Sequence, residues 1–180
     1  MRIPSFLLRR LDRWARERVH GRDPDFVIGG LDDPYMLRWW VLPRNRWFNI
    51  YLHRILRSDD DRALHDHPWP NASIVVRGRY VEHTIQAGGV HHMTLRGAGD
   101  VVGRGPRAAH RLEVLPGDPA MTIFVTGPIL RHWGFHCPEA GWRHWKDFVG
   151  MDKGSVGRGC GEMDTPPRRG GLRFLQREKA

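Results

Sequence analysis

Two histidines separated by a single residue are the part of this 180-residue chain best suited to chemistry. His65 and His67 flank Asp66 in a segment with strand character. Side chains two positions apart on a strand project from the same face, so both imidazoles can point at one ligand while Asp66 points away. Because neutral imidazole binds Fe, Ni, Cu and Zn, the pair predicts part of a divalent-metal site. A third ligand must then come from a strand that is distant in sequence.

The spacing around this pair resembles the first motif of the cupin superfamily. In that motif a Gly is followed by five residues, His-x-His, three or four residues, Glu, six residues and Gly. His65, His67, Asn71 and Gly78 lie at the matching positions, with Asn71 where the family usually has Glu. The leading glycine is replaced by Asp59.

A second stretch is similar to the second cupin motif, in which Gly precedes Pro-x-Gly, a His and an Asn. Gly99 and His110 keep both the spacing and the residue type, whereas Gly105, Arg107 and Val114 keep only the spacing. The two motifs together cover about 50 residues and bring a third histidine into register with the first pair.

This resemblance implies a double-sheet barrel that holds a metal through His65, His67 and His110. Asn71 is at most a weak ligand or a neighbour of the ligands, so a three-histidine centre is expected, as in thiol dioxygenases and some other oxygen-using cupins. Fe(II) is the favoured cofactor, with Ni, Mn or Zn as alternatives. An octahedral ion would keep about three positions open for substrate and dioxygen.

Hydrophobic and aromatic patterning independently predicts an all-β fold of jelly-roll type. Nine short strands are expected, at Tyr35–Leu42, Trp47–Leu56, Ala72–Arg77, Arg79–Ile85, His91–Leu95, Asp100–Val102, His110–Leu115, Met121–Thr126 and Arg131–His136. Trp142–Val149 is expected to form a short helix. The barrel domain predicted from these elements covers residues 23–150.

The net charge of +9 is concentrated at the two ends of the chain. Residues 1–22 carry +5 and contain an amphipathic helix, and residues 151–180 carry +3 in a Gly-, Pro- and Arg-rich segment predicted to be a flexible tail. The helix is expected to pack on the barrel with its arginines in solvent, and a membrane-surface or partner helix is the alternative. The nearly neutral middle disfavours nucleic-acid binding.

A predicted hairpin adds candidate catalytic residues. If Arg77 and Gly78 form a two-residue turn, Ser73 lies opposite Glu82, and both share a face with Asn71 and Tyr80. We expect that face to line the pocket, with Glu82 as an acid/base, Tyr80 as a hydrogen-bond donor and Ser73 as a substrate contact. The alternative is that Glu82 pairs with a surface arginine.

Further candidates for substrate binding lie near both motifs. Arg131 or His136 could bind an anionic group, and Trp69 could shape the rim of the pocket. The two cysteines provide no disulfide framework, and Cys137 is interpreted as a buried core thiol.

The sequence therefore predicts a metal-dependent enzyme, most concretely an Fe(II) dioxygenase that acts on a small polar or anionic molecule. A metal-dependent isomerase or epimerase and a non-catalytic ligand-binding cupin are the alternatives. No apolar run is long enough to span a membrane, so a cytoplasmic location is expected, and the resemblance makes a homodimer a candidate assembly.

Overall fold

A computed structural model describes residues 1–29, 31–59, 63–115, 117–149 and 159–161. Its helices are α1 (Ser5–Val19) and α2 (Trp145–Val149), with a short 3₁₀ turn at Ala87–Gly89. Its strands are β1 (Phe26–Ile28), β2 (Met36–Trp40), β3 (Asn49–Ile55), β4 (Leu64–His65), β5 (Asn71–Arg77), β6 (Arg79–Ile85), β7 (His91–Gly97), β8 (Val101–Arg104), β9 (His110–Glu113), β10 (Ala120–Thr126), β11 (Gly134–Cys137) and β12 (Gly141–His144).

These strands form two antiparallel six-stranded sheets that face each other. The first sheet has the order β1-β2-β3-β10-β5-β8, and the second has the order β12-β11-β4-β9-β6-β7. Strands that are distant in sequence are neighbours in both sheets, as a jelly roll requires. The predicted all-β jelly-roll fold is therefore confirmed.

Two strands within the described residues, β1 and β12, were not predicted from the sequence, and both lie at a sheet edge. The strand predicted around His65 and His67 is limited to the two residues of β4. The strand predicted at Arg131–His136 begins only at Gly134, and the helix predicted over Trp142–Val149 is confined to α2. The proposed tail lies mostly outside the described residues, apart from residues 159–161.

The predicted hairpin between β5 and β6 is wrong. β5 pairs with β10 and β8, whereas β6 pairs with β7 and β9, so the chain passes from one sheet to the other at Gly78. Gly78 has φ +69°, and a Cβ there would lie 2.3 Å from the Pro119 carbonyl oxygen. Only glycine fits this crossing without strain.

Apolar side chains close one end of the space between the sheets. This core contains Met36, Ile55, Val75, Tyr80, Leu112, Val114 and Ala120, all of them buried. The polar inward-facing residues are consequently collected towards the other end of the barrel. The functional site is built there.

Helix α1 packs against the outer face of the first sheet. Ala15 is fully buried beside Trp39 and Leu52, and the Asp12 carboxylate accepts two hydrogen bonds from Arg77 at the end of β5. This agrees with the packed-helix interpretation of residues 1–22. No helix in the described part of the chain has the length and apolar character needed to cross a bilayer.

The interpretation of Cys137 as a free core thiol is wrong. Cys137, at the end of β11, forms a disulfide with Cys160, which lies 23 positions further along the chain. Both cysteines pack in a cluster with Phe135 and Phe148. The pairing went unpredicted because two cysteines in a chain of this length carry no spacing pattern that distinguishes a bridge from two thiols.

The disulfide has a direct chemical signature. Unfolded, unreduced protein is expected to show no thiol that reacts with Ellman's reagent, and reduction is expected to release two. Because the bridge closes a loop of about 23 residues, Cys160→Ser should lower the free energy of unfolding by about 3 kcal/mol under oxidising conditions. That difference should vanish in dithiothreitol. Two reactive thiols in the unreduced, unfolded chain would contradict the bridge.

Candidate metal centre

Three histidines from two neighbouring strands and the loop between the sheets converge at the polar end of the barrel. His65 ends β4 and pairs with His110, the first residue of β9, while His67 follows in the adjoining loop. One ligand nitrogen from each ring lies within 4.8 Å of the other two. The strand β4 ends at His65, so His67 lies beyond the strand on which it was predicted. The three imidazoles nevertheless converge as predicted.

Glu82 fixes the outward nitrogen of His110, whereas the outward nitrogen of His65 lies near a carboxylate without a hydrogen bond to it. The Nδ1 of His110 lies 3.0 Å from Oε1 of Glu82, and the Nδ1 of His65 lies 3.4 Å from a carboxylate oxygen of Asp59. A carboxylate that accepts the Nδ1 proton leaves Nε2 as the free electron pair, which is the usual way a protein orients a histidine ligand.

The three imidazoles are held in the neutral form that a metal needs. Burial lowers the pKa of His65 to about 4 and that of His110 to about 3, although the hydrogen bond to Glu82 acts in the opposite direction on His110. Burial also holds the pKa of His67 well below its ordinary value. The donor set therefore fits a divalent first-row cation without any need to displace protons from charged rings.

Two of the nitrogens are close enough to bind one ion. The Nε2 atoms of His67 and His110 are 2.9 Å apart. Nitrogens that share a metal at about 2.1 Å are separated by about 3.0–3.4 Å. The observed separation also suits an N–H···N hydrogen bond, whose proton a cation would replace.

Glu82 is part of a buried ion-pair network beside His110. Its Oε1 accepts hydrogen bonds from both Nε and Nη2 of Arg104, and its Oε2 accepts one from Nε of Arg96 at 2.8 Å. Glu82 is 2% exposed and Arg104 is 9% exposed. Burial raises the pKa of Glu82, but the His110 hydrogen bond and the Arg104 charge outweigh it and hold the pKa far below its usual value.

The other residues predicted on the same face also point into the barrel. Ser73 Oγ and Asn71 Oδ1 lie 3.3 and 3.5 Å from Nη1 of Arg104. Tyr80 is 1% exposed, and burial raises the pKa of its phenol against the charge of Arg104. These residues come together across two facing sheets and through Arg104, rather than across the hairpin that the sequence analysis assumed.

Trp69 lies against one of the metal-site histidines. Its ring is stacked on that of His67, with centroids 6.4 Å apart. The indole Nε1 of Trp69 and the amide Nδ2 of Asn71 are both buried, and neither has a hydrogen-bond partner in the described residues. Two donors without acceptors therefore lie in the surroundings of the histidine group.

Arg131 and His136 lie on the side opposite the histidine cluster. Asp66 points away from its histidine neighbours, as predicted, and is 1% exposed. Its carboxylate accepts hydrogen bonds from Arg131 Nη1 at 2.7 Å, Gly134 N at 2.8 Å and His136 Nε2 at 3.0 Å, and also from the indole of Trp142. Both residues that were predicted to bind substrate, Arg131 and His136, therefore contact Asp66. Their role in binding a substrate stays a prediction.

Removing the Asp66 charge should loosen the loops around the metal centre. We expect Asp66→Asn to lower the free energy of unfolding by about 1–3 kcal/mol, because Arg131 keeps its charge without a carboxylate partner. Urea denaturation followed by tryptophan fluorescence measures the change. The matched exchange Asp23→Asn, at an exposed loop position, should stay within about 0.5 kcal/mol of wild type. Equal effects of the two variants would contradict an anchoring role for Asp66.

Sequence reasoning missed two interior arginines, Arg104 and Arg38. Arg104 ends β8 inside the second motif stretch, and Arg38 lies on β2 opposite His53. Because side chains two positions apart share a strand face, Arg38 lies on the face of Met36 and Trp40, and Arg104 lies on the face of Val102. An arginine on an otherwise apolar face of a strand is the sequence feature that could have identified these two residues.

Comparison with known proteins gives likeness at the level of fold. No protein-family model matches the chain, and no curated protein sequence matches it. An Fe(II) HppE structure with substrate is 14% identical over 58% of this chain and 56% of its own, with a TM-score of 0.47. The DMSP lyase DddQ from Ruegeria pomeroyi is 16% identical over 63% of this chain and 58% of its own, also at 0.47.

A cupin superfamily protein from Desulfitobacterium hafniense is 11% identical over 52% of this chain and 77% of its own, with a TM-score of 0.42. This chain spans a little over half the length of the HppE and DddQ structures. At these identities and TM-scores the similarity concerns the fold alone. The fold assignment itself rests on the strand order of the two sheets.

Proposed function

We propose that this chain is a metal-dependent enzyme of the cupin type, and specifically a mononuclear Fe(II) dioxygenase for a small polar or anionic substrate. The observation that carries the proposal is the set of three neutral imidazoles between the two sheets, one of which is held by a hydrogen bond to a buried carboxylate. Imidazole donors suit Fe(II), Ni, Mn or Zn, and Fe(II) is the ion that a dioxygenase requires.

When bound, iron would supply the site for dioxygen activation and substrate coordination. The residues of the chain would perform the remaining tasks. His65, His67 and His110 would hold the ion on one side, and the stacked indole of Trp69 would exclude water beside His67.

Glu82 is better suited to positioning than to proton transfer. A general acid or base works best when its pKa lies near the operating pH, and Glu82 is held ionised by His110 and Arg104. We therefore assign Glu82 the task of keeping the His110 Nδ1 proton in place. Tyr80 stays protonated at neutral pH, and its role as a hydrogen-bond donor stays a prediction.

Oxygen consumption tests the proposed activity. Protein purified without chelators is loaded anaerobically with Fe(II), and molecules released from it by denaturation are identified by mass spectrometry. These molecules and a panel of small carboxylates are then added in an oxygen electrode. We expect substrate-dependent oxygen uptake by wild type and none by His67→Ala treated in the same way.

Fe(II)-loaded protein that turns over a substrate without consuming oxygen would contradict the dioxygenase. It would support the metal-dependent isomerase or epimerase instead. Protein that binds metal and a small molecule but leaves both substrate and oxygen unchanged would support a non-catalytic ligand-binding cupin. The cytoplasmic location, the homodimer and the lack of nucleic-acid binding stay predictions.

A further inference from the structure

Arg38 is a half-buried cation with no acidic partner among the described residues. It lies on the inner side of β2, where its Nε donates a 2.9 Å hydrogen bond to Nε2 of His53 on the neighbouring strand. Its guanidinium carbon is 4.9 Å from the centre of the Tyr51 ring. His53 and Tyr51 are both buried, so the guanidinium is held at the inner surface of the first sheet.

The neighbours of Arg38 orient it but do not neutralise it. Burial lowers the pKa of His53 well below its ordinary value, so His53 accepts the hydrogen bond as an uncharged ring. The terminal nitrogens Nη1 and Nη2 of Arg38 have no hydrogen-bond or ion-pair partner in the described part of the chain. A partly desolvated guanidinium without a counter-charge is costly unless a ligand supplies one.

The other arginines near the barrel interior have carboxylate partners. Arg96 and Arg104 share Glu82, and Arg131 is paired with Asp66 on the side away from the histidines. Near the histidine group, the described residues therefore include three arginines (Arg38, Arg96 and Arg104) and two carboxylates (Glu82 and Asp59). The interior therefore carries an excess of one positive charge, which a divalent cation would raise to three.

Arg38 lies on the same side of the barrel as the metal-site histidines. The Phe124 ring separates the two groups: its centroid is 5.0 Å from that of His53 and 6.1 Å from that of His67. The positive charge of Arg38 also contributes to the lowered pKa of His67. The unpartnered Trp69 and Asn71 donors call for hydrogen-bond acceptors in the same region.

We propose that Arg38 is the recognition residue for a carboxylate-class group of the substrate, whose other end lies at the three-histidine centre. The planar guanidinium fork presents two terminal nitrogens to a carboxylate, an arrangement that gives both affinity and orientation. The substrate is then a small molecule with an anionic group at one end and a metal-binding oxygen group at the other. This inference rests on the proposed metal centre and narrows its substrate class.

Matched pairs of small acids test the inference. Co(II)-loaded protein is titrated with malonate against malonamate and with succinate against succinamate, with visible absorption and calorimetry as readouts. Each pair keeps the chain length and removes one negative charge. We expect at least one dicarboxylate to bind about tenfold more tightly than its amide partner at constant ionic strength.

Variants at Arg38 should remove this preference while Co(II) still binds. Arg38→Met keeps the length and apolar stem of the side chain, and we expect it to bring the two members of a pair to within about twofold of each other. Arg38→Lys keeps the charge but loses the fork, so it should retain only part of the preference. Arg44→Gln is the matched control, because Arg44 is exposed over the nearby Trp40 ring.

Metal-free protein is titrated in parallel so that the two proposals can fail separately. No Co(II) spectrum in wild type would contradict the metal centre, and the Arg38 inference would then be decided by the melting temperature of metal-free protein. There, dicarboxylates should raise the melting temperature of wild type but not of Arg38→Met. A preference that survives Arg38→Met, or one that Arg44→Gln abolishes equally, overturns the inference.

Discussion

His67→Ala is expected to lower the affinity of the protein for Fe(II) or Co(II) at least about 100-fold, and His110→Ala is expected to do the same. Loss of a single hydrogen-bond partner of a ligand already costs about 10–100-fold in metal affinity, so loss of a ligand should cost more. The three nitrogens lie within 4.8 Å of one another, and removing any one leaves two imidazoles, which cannot hold the ion on one face. Competition with a coloured chelator, followed by elemental analysis, measures the affinity.

His92→Ala is the matched control for these ligand variants. His92 lies on β7, is exposed, and contacts only the hydroxyl of Thr94 by hydrogen bond among the described residues. Its replacement should leave metal affinity unchanged. Circular dichroism establishes that each variant keeps its strands. Equal metal content in wild type, His67→Ala and His92→Ala would contradict the assigned ligands.

Glu82→Ala is expected to produce the largest loss of stability, about 3–5 kcal/mol in the free energy of unfolding. Removing one partner of a buried ion pair leaves the other charge uncompensated, and Arg104 is 9% exposed. The change also removes the acceptor for His110 Nδ1, so metal affinity should fall by about 10–100-fold. Urea denaturation of the metal-free protein separates the first effect from the second.

A double-mutant cycle distinguishes loss of the ion pair from loss of packing. Glu82→Leu combined with Arg104→Met should be less destabilising than Glu82→Ala alone, because neither charge then remains buried. Glu113→Gln serves as the surface control, since the side chain of Glu113 is 42% exposed where it meets His83. We expect it to cost at most about 1 kcal/mol. The single variants Glu82→Leu and Arg104→Met complete the cycle. A double variant whose loss in the free energy of unfolding equals the sum of the two single losses would contradict the ion-pair network.

The three-histidine group could be predicted from the sequence because strand periodicity and motif spacing are local properties of the chain. His65 and His67 are two residues apart, and the register of the two motif stretches brought in His110. The errors in the predicted hairpin and edge strands do not affect these positions, because His65 on β4 pairs directly with His110 on β9.

The surroundings of the centre depend on contacts between the two sheets, which local spacing does not encode. The Arg77-Gly78 pair is typical of a hairpin turn, yet the same glycine permits a crossing between sheets beside Pro119. Glu82 and Ser73 still meet, because Arg104 reaches across the interior to both. Arg38 and the Cys137–Cys160 bridge likewise became visible only once the strands were arranged in space.

X-ray absorption at the metal edge tests the central claim most directly. Protein loaded with one equivalent of Fe(II) under anaerobic conditions is expected to show a mononuclear six-coordinate site with nitrogen or oxygen at about 2.0–2.2 Å and outer-shell scattering from three imidazole rings. His67→Ala should show fewer rings, and His92→Ala should match wild type. A spectrum with sulfur ligands, or with no imidazole scattering, would contradict a centre built from His65, His67 and His110.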